Sequence, residues 1–103
     1  MAATGLKSAK FNTVVARRVK VMNDEGDIVV TLGADYYGDG LVRTKSAKGK
    51  DLVKLTSATG GQVLVFNKTG EDLVAYMSSN EYGNGVVGVY NHKGEERTFK
   101  PGP

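Results

Sequence analysis

Four glycines divide this chain into near-copies of one unit. Gly26, Gly49, Gly70 and Gly94 stand 23, 21 and 24 residues apart. Three residues before each stands Asn23, Ser46, Asn67 or Asn91. Seven before stands Val19, Val42, Val63 or Val87, and five before stands Val21, Thr44, Val65 or Val89. Four after stands Val30, Val53, Val74 or Thr98, and six after stands Leu32, Leu55, Tyr76 or Lys100. A period in the twenties marks a repeat architecture. A spacing of two between apolar positions is that of a strand with one face turned from water. These two periods together leave no room for a helical fold.

The unit therefore reads as a β-hairpin. Its turns are Asn23-Asp24-Glu25-Gly26, Ser46-Ala47-Lys48-Gly49, Asn67-Lys68-Thr69-Gly70 and Asn91-His92-Lys93-Gly94. An Asn or Ser at the first turn position bonds the backbone two residues on. A Gly at the last position takes the left-handed conformation that follows a type I turn and sets up a bulge. The return strands are expected over Ile28–Leu32, Leu52–Leu55, Leu73–Met77 and Arg97–Phe99. Glycine-rich loops join the units at residues 33–40, 56–62 and 78–85. Asp39-Gly40 and Asn84-Gly85 are the tight-turn signals in the first and third of these. Phe11–Ala16 is a candidate lone first strand outside the repeat.

Composition agrees with strands. Valine occurs fourteen times against one Ile and seven Leu, and β-branched residues suit a pleated surface. The two prolines are Pro101 and Pro103, so nothing interrupts ladder hydrogen bonds earlier in the chain. The fold class expected is all-β: tandem short β-hairpin repeats of about eight antiparallel strands, β-helix-like or β-solenoid-like, completed by oligomerisation. One domain spans 1–103, with a lead-in at 1–18 and hairpin repeats at 19–40, 41–62, 63–85 and 86–100. The Val42, Val63 and Val87 column, with Val53 and Val74, is expected to be buried on one face. The other face is expected to carry Lys20, Arg43 and Lys45 exposed. It also takes Met22, Leu64, Phe66, Gly88 and Tyr90, and the column Val29, Leu52, Leu73, Arg97.

The pattern V-x-V-x-N-x-x-G-x-x-V-x-x-L-G-A, over roughly Ala16 to Lys100, resembles a glycine-rich hairpin repeat of uncharacterised bacterial proteins, notably planctomycete-type ones. That resemblance implies a fold and no biochemical role. Its geometry is similar to the short-strand repeats of trimeric phage spikes and fibres, where three chains wind into a triple-stranded β-helix. Membrane occupation and recognition repeats share the period but want aromatic residues where this chain has Val. Val89 to Gly94 resembles a Tyr-Asp shell repeat, a fold that needs many more units. Choline-binding repeats need Trp, which this chain lacks.

The chemistry-bearing residues favour no catalyst. His92 is the one histidine and lies inside a turn, without the Cys or second His of a metal site. Ser78, His92 and Asp72 make a triad only on paper. Asp35, Asp39, Glu81 and Asn84 sit among loop glycines, where calcium could bind, but the alternation of a calcium loop is missing. Gly38-Asp39-Gly40 and Gly83-Asn84-Gly85 have a phosphate-loop spacing with no helix to follow. Tyr36, Tyr37, Tyr76, Tyr82 and Tyr90 could stack on sugars or bases, and loop or interface packing explains them better. The run Arg43 to Lys50 is the densest basic stretch; it could grip phosphates or acidic glycans, and a solvated hairpin tip explains it as well. The net charge of +3 is too small to argue for nucleic acid.

No catalytic, cofactor-binding or metal residue is expected, and no cofactor. The first reading is a structural or assembly module whose partner is itself, a homotrimer in preference to other states, serving as stalk, fibre or spike segment. The second is a single-chain binding module, a rolled sheet or small barrel, presenting Tyr-rich and Gly-rich loops to a glycan or protein ligand. An enzyme is a distant third. No apolar run is long enough to span a membrane. Met1 to Phe11 has no apolar stretch of a secretory signal as it stands, and an extracellular or virion-surface setting stays open.

Overall fold

The computed structural model describes residues 7–101. Eight strands follow one another: β1 Val19–Met22, β2 Ile28–Ala34, β3 Gly40–Lys45, β4 Asp51–Ser57, β5 Gly61–Phe66, β6 Leu73–Ser79, β7 Gly85–Tyr90 and β8 Glu96–Phe99. They form a single antiparallel sheet in the order β1 to β8. The fold is all-β, and no helix occurs among the described residues. Each strand touches only its neighbours in sequence. The sheet is therefore open, one layer thick, with β1 and β8 as free edges. The rolled sheet or small barrel would need β1 to meet β8, and that pairing does not exist. Phe11–Ala16 forms no strand; it pairs with nothing and is exposed.

The turns explain the regularity. In all four repeat turns the Gly amide donates to the carbonyl of the first residue, at 2.9–3.0 Å. Gly26, Gly49, Gly70 and Gly94 have φ of 89°, 83°, 72° and 82°, the left-handed region that favours glycine. Two further turns follow the same rule. Gly38 and Gly83 have φ of 89° and 81°, and their amides donate to the carbonyls of Asp35 and Asn80. So the tight turns are Asp35-Tyr36-Tyr37-Gly38 and Asn80-Glu81-Tyr82-Gly83. Gly40 and Gly85, expected within these turns, instead open β3 and β7. Six of the seven connections are one motif, with its four repeat copies at one edge of the sheet (the tip edge) and two at the other (the loop edge).

Register decides which residues share a face. One face carries two rows across all eight strands. The first runs Val19, Leu32, Val42, Leu55, Val63, Met77, Val87, Phe99, and the second runs Val21, Val30, Thr44, Val53, Val65, Ala75, Val89, Arg97. This valine face differs from expectation in the last two units. Val74 and Tyr76 lie on the opposite face, where Tyr76 pairs with Leu64 and Gly88. The third turn is one residue longer, because the Asn67 amide donates to Asp72, five residues on, where Asn23 and Ser46 reach four. The fourth hairpin lacks the bulge found in the other three. Arg97 therefore turns to the valine face and Thr98 away from it. One residue gained or one bulge lost exchanges the two faces of the return strand.

Burial departs furthest from expectation. No hydrophobic side chain among the described residues is fully buried. Val42, Val53 and Val63 are half-buried, and several of their row neighbours are exposed. A layer with nothing packed on it cannot bury a column on its own. Lys20 is exposed as expected, but Arg43 and Lys45 are half-buried. The Arg43 Nε lies against the sheet 3.4 Å from Asp51 Oδ1, an ion contact without a hydrogen bond. No helix among the described residues is long and apolar enough to cross a membrane.

Candidate functional site: an uncovered valine face

The two faces handle water differently. On the mixed face, long amphipathic side chains lie down over the sheet. The Tyr76 ring lies over Gly88, where a Cβ would collide with it. Its hydroxyl donates to Glu96 Oε2 at 2.6 Å, and the Tyr90 ring is tilted against it with centroids 6.2 Å apart. That hydrogen bond to a carboxylate, with partial desolvation, holds the Tyr76 phenol up to about 12. The Tyr90 phenol is also raised, by desolvation and then by Glu96. The Lys54 ammonium sits 5.7 Å from the centre of the Phe66 ring and 3.4 Å from Asp51 Oδ2.

Among the described residues, the valine face has no such cover. Leu32 is 41% exposed, Leu55 45%, Met77 56% and Val89 45%. Arg97, at one end, is the only charge in its two rows. Beyond them, toward the loop edge, the same face narrows to small residues: Ala34 opposite Gly40, Ser57 opposite Gly61, Ser79 opposite Gly85. Monomeric proteins rarely expose a continuous apolar surface of this extent. Away from Arg97 its chemistry is contact alone, suited to an apolar partner.

The residues singled out for chemistry are dispersed. His92 and Asp72 line one shallow hollow between the third and fourth tips. Ser78 lies near the other end of β6, roughly 20 Å of strand from Asp72, so the paper triad is not assembled. Asp35 and Asp39 do converge: the Ser57 hydroxyl donates to Asp39 at 2.9 Å and lies 3.5 Å from Asp35. Asp35 Oδ1 accepts the amides of Tyr37 and Asp39, and Asn80 Oδ1 those of Tyr82 and Asn84. These are turn bonds, and Glu81 is exposed on the second turn. No group of three or more metal-ligating side chains occurs among the described residues. No helix follows the glycines at 38–40 or 83–85. The basic run divides, with Arg43 and Lys45 on the sheet and Lys48 and Lys50 exposed at the tip. Tyr36, Tyr37 and Tyr82 stand out from the loop edge, 94%, 83% and 80% exposed.

Two features escaped the sequence reading. The Asx-x-x-Gly motif at Asp35 and Asn80 was present but masked by the adjacent Asp-Gly and Asn-Gly pairs. The cover of Gly88 by Tyr76 had no local signal, since the two meet only once the register is known. Comparison with protein-family models, with characterised proteins and with solved structures gives no match. The functional reading therefore rests on the geometry.

Proposed function

We propose that this chain is a non-enzymatic structural module that works by self-association through its valine face, as a segment of a stalk, fibre or spike. The observation that carries this is the pair of mainly apolar rows crossing all eight strands of a sheet in which no hydrophobic side chain among the described residues is fully buried. Eight strands about 4.8 Å apart, with rows about 7 Å apart, give a patch of roughly 34 by 14 Å in projection. With the small residues at the loop edge of the same face the patch reaches roughly 34 by 21 Å, near the ~800 Å² per partner of a stable interface. A second copy offers the same ridged surface, with Arg97 as its one charged side chain, so covering each face with another excludes water from both.

Three copies fit the strand length. A six-residue strand spans about 20 Å. Three such sheets, set as a triangle around a common axis, each stand about 6 Å from it. That nearly equals the ~5 Å half-spacing that side chains fill between stacked sheets. Four sheets would leave a void. A mass near 33 kDa by light scattering, three times the 11.0 kDa chain, supports the trimer. A folded species at 11.0 kDa would refute self-association.

A second reading is favoured by the exposure of Tyr36, Tyr37 and Tyr82 on rigid turns: these present aromatic surface to a glycan or protein ligand. It predicts retention on immobilised polysaccharide that Tyr37→Ala and Tyr82→Ala together abolish, and no retention of the parent chain would dismiss it.

A further inference from the structure

We propose that β8 is a pairing edge: two copies join β8 to β8 across a two-fold axis at Thr98, so that their sheets run on as one. The surface is separate from the valine face, and this joint stands or falls independently of the face association.

Among the described residues, β1 and β8 each have one side without a partner strand, and all four residues of each are exposed. Such a side is a row of unpaired N–H and C=O groups, open to another strand. Which groups of β8 point outward follows from its ladder. The Asn91 amide donates to the Glu95 carbonyl, and the register then pairs Val89 with Arg97 and Val87 with Phe99. Hydrogen-bonded pairs alternate along an antiparallel ladder, so Glu95, Arg97 and Phe99 turn their backbone groups toward β7. Glu96, Thr98 and Lys100 turn theirs outward. Pro101 follows at an inward position, so its missing donor ends the ladder with β7 and leaves the outer edge intact.

With Thr98 on the axis, the two Thr98 residues exchange a pair of hydrogen bonds, and Glu96 of each copy exchanges a pair with Lys100 of the other. The side chains agree with that register. Glu96 and Lys100 project from the mixed face and become cross-strand neighbours of opposite sign. Glu96 accepts the Tyr76 hydroxyl at Oε2, and a carboxylate has a second oxygen for the Lys100 ammonium. On the valine face Arg97 meets the Phe99 ring of the other copy. The two Arg97 side chains lie on a diagonal, and Glu95 stands beside each on its own strand.

The β1 edge is not self-complementary. Arg17, Arg18 and Lys20 line it without an acid, while Asp24 and Glu25 stand off in the tip turn, so two β1 edges repel. Head-to-tail joining fares no better. Leu32 faces Val42, Leu55 faces Val63 and Met77 faces Val87, so continuing that row sets Phe99 on Val19 and Lys100 on Arg18. Slipped by two residues, Glu96 reaches Lys20, but half of β8 then runs past Val19, where β1 begins. A like-to-like joint is closed, so it doubles an assembly and stops. One pair of four-residue strands is weak alone. A three-fold assembly carries three β8 edges at one end, and three pairs formed together hold far more tightly than one. Its mass should rise with concentration from about 33 to about 66 kDa, six times the 11.0 kDa chain.

The chain has no cysteine, so a single thiol reads the joint. Opposed hydrogen-bonded residues have Cα atoms about 5.5 Å apart, a span that a disulfide bridges. Mild oxidation of T98C should give a covalent dimer of about 22 kDa, twice the chain mass. K20C, also exposed but on the other edge, should stay uncrosslinked, and the double variant K20C/T98C should stop at the dimer. Lys100→Glu in the T98C chain should slow crosslinking about tenfold, because both Glu96 contacts become repulsive, and adding Glu96→Lys should restore it. No dimer from T98C, equally fast crosslinking of K20C, or a ladder of polymers from the double variant would overturn the β8 joint, and a parent mass near 33 kDa would then leave the face association standing. A T98C dimer from a parent chain fixed at 11.0 kDa would overturn the face association and leave the joint standing.

Discussion

On β5, Val63 and Val65 point to one side and Leu64 and Phe66 to the other, and the two pairs live in different surroundings. Leu64 lies between Lys54 and Tyr76, and Phe66 has the Lys54 ammonium over its ring. Val63 lies between Leu55 and Met77, both exposed, with none of the described residues above them. The same strands thus build one face that shelters itself and one that does not. Shelter comes from long amphipathic side chains placed beside short apolar ones. A face made mostly of Val, Leu and Met, with Arg97 only at one end, has little such length, so it can be covered only from outside.

The comparison breaks most severely if a charge enters each face in turn. Val63→Asp puts an unpaired carboxylate into the uncovered row, and association should be lost, the mass falling from about 33 to 11.0 kDa. Leu64→Asp places the same group beside Lys54, and it should keep the assembled mass at a cost of about 1 kcal/mol in denaturant unfolding. Next in size is Gly88→Ala. Its Cβ would occupy the space of the Tyr76 ring, pushing the ring off its site and breaking the bond to Glu96. A loss on the order of 1–3 kcal/mol is expected, read as a shifted denaturation midpoint. Gly49→Val, at φ 83°, should cost about 1–2 kcal/mol without altering either face.

The smallest effect is a titration. The Tyr76 phenol is raised from 10.0 to about 12 because its neutral form donates to Glu96. A group raised in the folded state contributes stability that is complete below its unfolded value and fades as pH climbs through its folded one. The mixed face should therefore loosen between about pH 10 and 12, seen as late phenolate absorbance. Glu96→Gln should bring that absorbance down toward 10.0. An unchanged titration in that variant would remove the hydrogen bond from the account.

Most of the fold could be read from the spacing of Val and Gly, because a turn of four residues and a strand period of two are both local. The four tip turns and their positive φ followed directly from Asn23, Ser46, Asn67 and Asn91 with their glycines. What failed was parity. Nothing near Asn67 announces that Glu71 lengthens the turn, and nothing near Gly94 announces that the bulge is missing. A single residue in each place moved Val74, Tyr76, Arg97 and Thr98 to the other face. The site was legible in outline, as a continuous valine column. Its exposure was not, since periodicity tells which residues share a face and never what lies against it.

The most direct measurement compares the two faces through neighbouring residues. V63C and L64C each place one thiol in a chain that has none, on opposite faces of β5, at positions half-buried alike in the single sheet. The rate of thiol modification under native conditions then reports what covers each face. Self-association predicts that the V63C thiol reacts at least tenfold more slowly than the L64C thiol, with the difference vanishing in denaturant. Equal rates in the folded protein would mean that the valine face stands open to water, and would contradict the account.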